Sequence, residues 1–274
     1  MLLPIAFGII TGLALGLTGG GGTMLAVPFL LYGLGLPVHE AMLVSLVAVG
    51  IIALVGALAR WRAHQLQLHL GLIFAMAGMV GAPVGALVAP WIPAIGLMLG
   101  FAVLTVFVAV RMWRRGHGPL PTDSQPLPAT ALIRQAACRF DPSGRLQLTS
   151  HCIRLLVPAG FVTGIISGLF GVGGGFVVVP ALVLIAGIDI RQATATSLFI
   201  VALVSLSGSS AAFISGQTVD PRLVMLFAGS GMVGLELGSR FGRFLPANTL
   251  QRGFAIILIL VAVMLVIKLF KIPF

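Results

Sequence analysis

Two glycine-rich stretches, Gly19-Gly20-Gly21-Gly22-Thr23 and Gly171-Val172-Gly173-Gly174-Gly175, carry the chemistry this chain offers best, which is holding a small anion. Glycine interrupts a helix at about 1 kcal/mol per residue. With no side chain, it also lets a ligand touch the backbone. The helix that restarts after such a break has free N–H groups and about half a positive charge at its first turn, which suits acceptor oxygens. Hydroxyls follow downstream of each break: Ser45 in the first case, Thr196 and Ser197 in the second, with Ser45 and Ser197 at equivalent places.

The equivalence is a duplication. Gly8, Thr11-Gly12, Gly16, Gly19 and Val27-Pro28 recur 152 residues later as Gly160, Thr163-Gly164, Gly168, Gly171 and Val179-Pro180. The register holds through Ala41/Ala193, Ser45-Leu46/Ser197-Leu198 and Gly56/Gly208. After one inserted residue it resumes as Gly78-Met79-Val80-Gly81/Gly231-Met232-Val233-Gly234 and continues to Gly100-Phe101-Ala102/Gly253-Phe254-Ala255. A repeated helix break in both halves of an apolar chain points to a secondary transporter.

The elements that must position these residues follow from composition. Hydrophobic residues are 59% of the chain and charged residues 8%, against about a quarter charged in soluble domains. Apolar runs long enough to cross a bilayer recur. The reading is an all-α polytopic membrane protein. Its first half places elements at 3–35, 40–59, 68–89 and 92–113, and its second half at 157–187, 193–215, 222–245 and 249–271. Residues 1–113 form one membrane repeat and 154–274 the other; 114–153 are a linker with a β-hairpin around Asp141-Pro142-Ser143-Gly144. An unbroken helix over 3–35 would be about 50 Å long. Two half-helices meeting at the glycines, a re-entrant hairpin with its tip inside the membrane, fit better. A hairpin plus three spans is an odd number of crossings, so the second repeat is inverted and both termini lie outside.

The net charge of +10 does not point to nucleic acid, because the basic residues flank apolar runs and fill the linker, as the positive-inside bias requires. That bias puts the linker in the cytoplasm, where Cys138 and Cys152 are expected as free thiols. With His151 they lack a zinc spacing, so no metal and no cofactor is expected. The start Met1-Leu2-Leu3-Pro4 lacks signal-peptide features.

Bland readings compete with each functional one. Gly8, Gly12, Gly16, Gly160, Gly164 and Gly168 are assigned to close helix packing. Ser205, Ser207, Ser209 and Ser210 read as helix–helix hydrogen bonders. Glu236 and Arg240, four apart, form either an ion pair or a relay for a proton or anion. His39, Glu40, His64 and His69 fit loop or interface positions. No Gly-Lys-Ser/Thr follows either glycine run, so a nucleotide loop is excluded. Gly208-Ser209-Ser210 offers a nucleophile, but no later membrane histidine activates it, so no enzyme is expected.

The paired glycine openings, Ala-Thr-Ala-Thr-Ser-Leu (193–198) and Gly-Met-Val-Gly-x-x-x-Gly resemble the TauE/SafE family of sulfite and organosulfonate exporters, over nearly the whole chain except 114–153. The resemblance implies a bacterial inner-membrane carrier that exports a small sulfur-containing anion. Its partners would be that anion, membrane lipid and H+ or another coupling ion. Other readings are an anion channel, a carrier of other small carboxylate or sulfur anions, or a non-transporting assembly factor. Met42, Val44 and Thr23 stand where the second copy has Thr194, Thr196 and Gly175. The site is therefore expected to lean on the second half.

Overall fold

The structure is a computed structural model that describes residues 2–116, 139–140, 146–147, 150–188 and 190–241. The expected element at 249–271 and most of the linker lie outside the described residues. Within them the chain is almost wholly helical. The first half contains α1 (Leu2–Thr18), α2 (Thr23–Pro28), α3 (Val38–Arg62), α4 (Leu68–Val88) and α5 (Ala94–Gly116). Strands β1 (Arg139–Phe140) and β2 (Leu146–Gln147) pair antiparallel, Arg139 opposite Gln147. The second half contains α6 (Ser150–Phe170), α7 (Gly175–Ala181), α8 (Ile190–Ile214) and α9 (Pro221–Phe241).

Four helical stretches, Val38–Arg62, Leu68–Trp91, Cys152–Phe170 and Arg191–Ile214, are long and apolar enough to cross a membrane. Leu54, Met76, Val80, Val103, Leu206 and Met225 lie exposed on the outer faces. A water-soluble protein would bury such residues, whereas lipid solvates them. The molecule is a helical membrane protein.

The breaks fall at the glycines, for a local reason. Gly19 and Gly171 adopt the left-handed conformation, φ +72° and +67°, which side chains avoid. Their amides donate to Leu15 O at 2.7 Å and Ser167 O at 2.9 Å. That is the bond that ends a helix when a left-handed residue follows its last turn. The chain restarts at Thr23 and Gly175. It runs as α-helix only to Pro28 and Ala181 and then widens into single π-helical turns, Phe29–Gly33 and Leu182–Ala186. Pro28 and Pro180 supply no N–H to the ladder, which favours the wider turn. The returning arm in the first half is thus Thr23–Gly33.

Glycines then set the packing. A Cβ on Gly12 would sit 1.9 Å from Gly231 O, and one on Gly164 2.2 Å from Gly78 O. These helices touch backbone to backbone. Gly8 faces Phe227–Gly231 and Gly16 faces Leu235–Ser239, so α1 and α9 run in the same direction. Gly160 against Phe74–Ala77 and Gly168 against Ala82–Ala86 repeat the arrangement for α6 on α4. Each half therefore lends its first helix to the other half. At the centre, Gly50 meets Ser205, Gly56 meets Leu198 and Gly208 meets Leu46, so the equivalent helices α3 and α8 cross in opposite directions. Their shared core holds Val44, Ala48, Val49, Ile52, Leu198, Val201 and Ala202.

Cys152 is buried and disulfide-bonded. The free-thiol expectation, drawn from compartment alone, does not hold there. Packing, which the sequence does not display, decides which thiols meet.

Candidate functional site

Both glycine tips lie in the interior. Residues 19–28 and 171–176 are all buried. The tips touch each other: a Cβ on Gly20 would stand 2.3 Å from Gly175 O, and one on Gly175 would stand 2.7 Å from Gly20 Cα. Each tip also rests on the central helix of the other half. Gly19 packs on Thr194 of α8, and Gly171 packs on the backbone of Met42 of α3, the residue equivalent to Thr194. Gly173 seats over the α3–α8 crossing, where a Cβ would meet Val201, Val49 and Ser205 at 3.0, 3.2 and 3.3 Å. Gly22 packs back on Leu15 of its own hairpin.

The backbone donors are partly committed. Thr23, Met24 and Leu25 donate to the carbonyls of Gly20, Gly21 and Gly22 at 3.4, 3.2 and 3.1 Å. Gly22 donates to Thr18 Oγ1 at 3.2 Å, and Thr23 Oγ1 donates to Gly20 O at 2.8 Å. Among the described residues, the amides of Gly20, Gly21, Gly173 and Gly174 donate to no other backbone group. Such groups, buried, need a partner. Each buried tip therefore carries a short cluster of amides without a backbone acceptor.

The predicted hydroxyls divide. Ser197 Oγ donates to Gly19 O and, at 2.8 Å, to Thr194 O, which pins the first tip to α8. Thr196 Oγ1 accepts from the Gln67 amide at 3.1 Å. Ser45 is fully buried and its Oγ has no protein partner. Among the remaining serines, Ser207 reaches Met79 O on α4 at 2.7 Å, and Ser209 and Ser210 bond back to their own helix. Ser205 and Ser167 are buried without a protein partner. Glu236 and Arg240 form an ion pair at 2.8 Å whose side chains are 58% and 72% exposed. They sit on the outside of α9, away from the tips.

The two mouths of the bundle differ, and this the repeat alone did not announce. Between the start of α3 and the α8–α9 turn lies a cavity of about 300 Å³, lined by His39, Glu40, Leu43, Gln217, Thr218, Val219 and Asp220. A slot of about 20 Å³ shares His39, Leu43 and Gln217 with it and reaches Met42, Leu46 and Gly168, just short of the second tip. At the opposite mouth the equivalent ground is closed. Gln67 donates its amide to Thr196 and its Nε2 to Gln192 Oε1 at 3.4 Å. In the repeat, Thr196 and Gln192 correspond to Val44 and Glu40, and Gln67, just before α4, corresponds to Asp220, just before α9. The donor to Thr196 is the Gln67 backbone N–H, so what the first copy lacks is the acceptor, because Val44 has no hydroxyl. The closing contact is therefore written into one half only. Sequence reasoning placed His39 and Glu40 at a surface and passed over Gln67 and Gln192. The broken equivalence Thr196/Val44 was the available signal.

Comparisons with known proteins agree with this architecture. The sulfite exporter TauE/SafE family model matches residues 4–265. A probable membrane transporter protein of Xylella fastidiosa (strain 9a5c) is 32% identical over 96% of this chain and 94% of its own length. One from Haemophilus influenzae is 28% identical over 98% of each chain, and YunE of Bacillus subtilis, also a probable membrane transporter protein, is 26% identical over 97% of each. No solved structure matches the chain. A match that runs nearly end to end, on a chain whose helices cross a membrane and break at paired buried glycines, makes this protein a member of the sulfite exporter TauE/SafE family of membrane transporters.

Proposed function

We propose that the protein is a secondary transporter that exports a small oxyanion, sulfite or an organosulfonate, across the inner membrane by alternating access between two inverted repeats. The carrying observation is the buried meeting of the two tips at Gly20 and Gly175, with amides in both tips that have no backbone acceptor. Non-helical backbone at membrane depth is tolerated only where it is enclosed by protein or lines a cavity. Its amides favour an acceptor-rich anion.

The antiparallel crossing of α3 and α8 supports inversion. Each is 25 residues long, about 37 Å at 1.5 Å per residue, enough to span. A rotation axis along the membrane normal would leave equivalent helices parallel; only an axis in the membrane plane turns one over. On this reading the arginine-rich linker is cytoplasmic. The cavity beside His39 and Asp220 then opens outward, and the Gln67–Thr196 contact closes the cytoplasmic mouth. Thr196 and Ser197 serve as latch and pin, and Ser45 with the tip amides faces the anion. Glu236 is held by Arg240 at an exposed position, which supports a potential-driven carrier rather than a relay.

Two measurements test the reading. Purified protein should be stabilised by sulfite or a sulfonate, and in liposomes it should move that anion with saturable flux; a pore would not saturate. Gly173→Leu, at φ +70° over the central crossing, is expected to abolish binding while expression persists. Ordinary binding by that variant removes the tips from the site.

The latch has its own signature. Thr196→Val keeps the shape and removes the acceptor for the Gln67 amide. One such bond is worth about 1 kcal/mol, so hydrogen exchange across residues 65–70 should speed up several-fold while exchange at 217–221 stays as it was. Equal exchange in both proteins would mean that this contact does not hold the mouth.

A further inference from the structure

The two tips are equivalent in the repeat but not in their surroundings. Thr163, Ser167 and Ser205 crowd the second tip: a Cβ on Gly174 would meet Thr163 Cγ2 at 2.9 Å and Ser167 Cβ at 3.3 Å, and one on Gly173 would meet Ser205 Oγ at 3.3 Å. Ser167 and Ser205 are 0% and 1% exposed, and neither Oγ has a protein partner. In the first half their equivalents are Leu15 and Ala53, which carry no hydroxyl. Serine in an apolar helix ordinarily returns its proton to its own backbone, as Ser209, Ser210, Ser215 and Ser230 do here. Ser167 and Ser205 do not. The cavity and slot from the open mouth also end beside this tip, at Met42 and Gly168.

We infer that the anion is held at the second tip in the open-mouth state, with the hydroxyls of Ser167 and Ser205 and the amides of Gly173 and Gly174 among its donors. This rests on the carrier reading above and assigns the donors within it. All four groups are neutral hydrogen-bond donors. Such a set selects a small anion whose oxygens accept without donating, the character of a sulfonate or sulfite. Val49 and Val201 lie against Gly173 and give the site an apolar wall. The first tip, pinned through Gly19 to Ser197, serves as the fixed partner against which the second moves.

The experiment uses full-length protein in detergent, titrated with sulfite and with a small alkylsulfonate, comparing wild type, Ser167→Ala, Ser205→Ala and, as a control, Ser210→Ala on the exposed face. A hydrogen bond to an anion is expected to make each of the first two variants bind about tenfold more weakly. Without ligand they should melt at or above the wild-type temperature, because alanine removes a buried hydroxyl that has no partner. A structural role would lower the ligand-free melting temperature instead. Wild-type affinity in both Ser167→Ala and Ser205→Ala, beside a binding wild type, overturns the assignment and leaves the carrier reading standing. Failure of the wild type to bind either anion overturns both.

Discussion

Gly12→Leu and Gly164→Leu should each leave little monodisperse protein on size-exclusion chromatography. The added side chain has nowhere to go. A single Cβ at these positions already falls about 2 Å from a carbonyl oxygen of the facing helix, Gly231 O or Gly78 O, and that obstacle is backbone, not a side chain that can swing away. Overpacking a core usually costs about 1–3 kcal/mol. Here two helices must separate along their length, because Gly234 and Gly238 press into Ile9 and Leu13 at the same seam, so a loss above that range is expected. Gly229→Ala is the contrasting case. No atom lies within 4 Å of its Cβ position, and alanine in a helix interior is favoured by about 1 kcal/mol. Its melting temperature should hold or rise. A folded, stable Gly12→Leu protein would mean that α1 does not lie on α9.

Gly20→Ala is expected to give a folded protein with flux reduced at least a hundredfold. Gly20 needs no left-handed backbone, so alanine is locally acceptable; the conflict is with Gly175 across the centre, 2.3 Å from the new methyl. The tips must part, and a site built from both at that distance is lost. Gly175→Ala disturbs the same contact from the other side, 2.7 Å from Gly20 Cα. The double variant should therefore be hardly worse than either single one, the signature of coupled residues in a mutant cycle. Wild-type flux in liposomes containing Gly20→Ala would show that the touching tips are not the transport site.

Much of this was legible beforehand because glycine speaks through the backbone. A run at Gly19–Gly22 cannot continue a helix whatever surrounds it, and its recurrence at Gly171–Gly175 announced a second break. The packing glycines at 8, 12 and 16 were equally readable, since their spacing places them on one face. The partners of the hydroxyls were not legible. Thr196 and Ser197 looked like ligands because they are polar residues in an apolar helix. Whether such a group faces a ligand or a neighbouring carbonyl depends on helices far away in the chain. Ser205 was set aside for the same reason, and Gln67 was overlooked because a single glutamine at a turn carries no local signature.

The chain's own letters determined that it enters a membrane, that it is built twice, and where each half must break, because apolar length, periodic recurrence and backbone freedom are properties of neighbouring residues. Only the tertiary structure decided that the breaks meet, that Gln67 bonds to Thr196 while a cavity lies beside His39 and Asp220, and which hydroxyls are spent. Those outcomes depend on contacts such as Gly20 with Gly175 and Gln67 with Thr196, between residues more than a hundred positions apart. Small departures from exact repetition, valine for threonine and leucine for serine, make the surroundings of the two halves unequal.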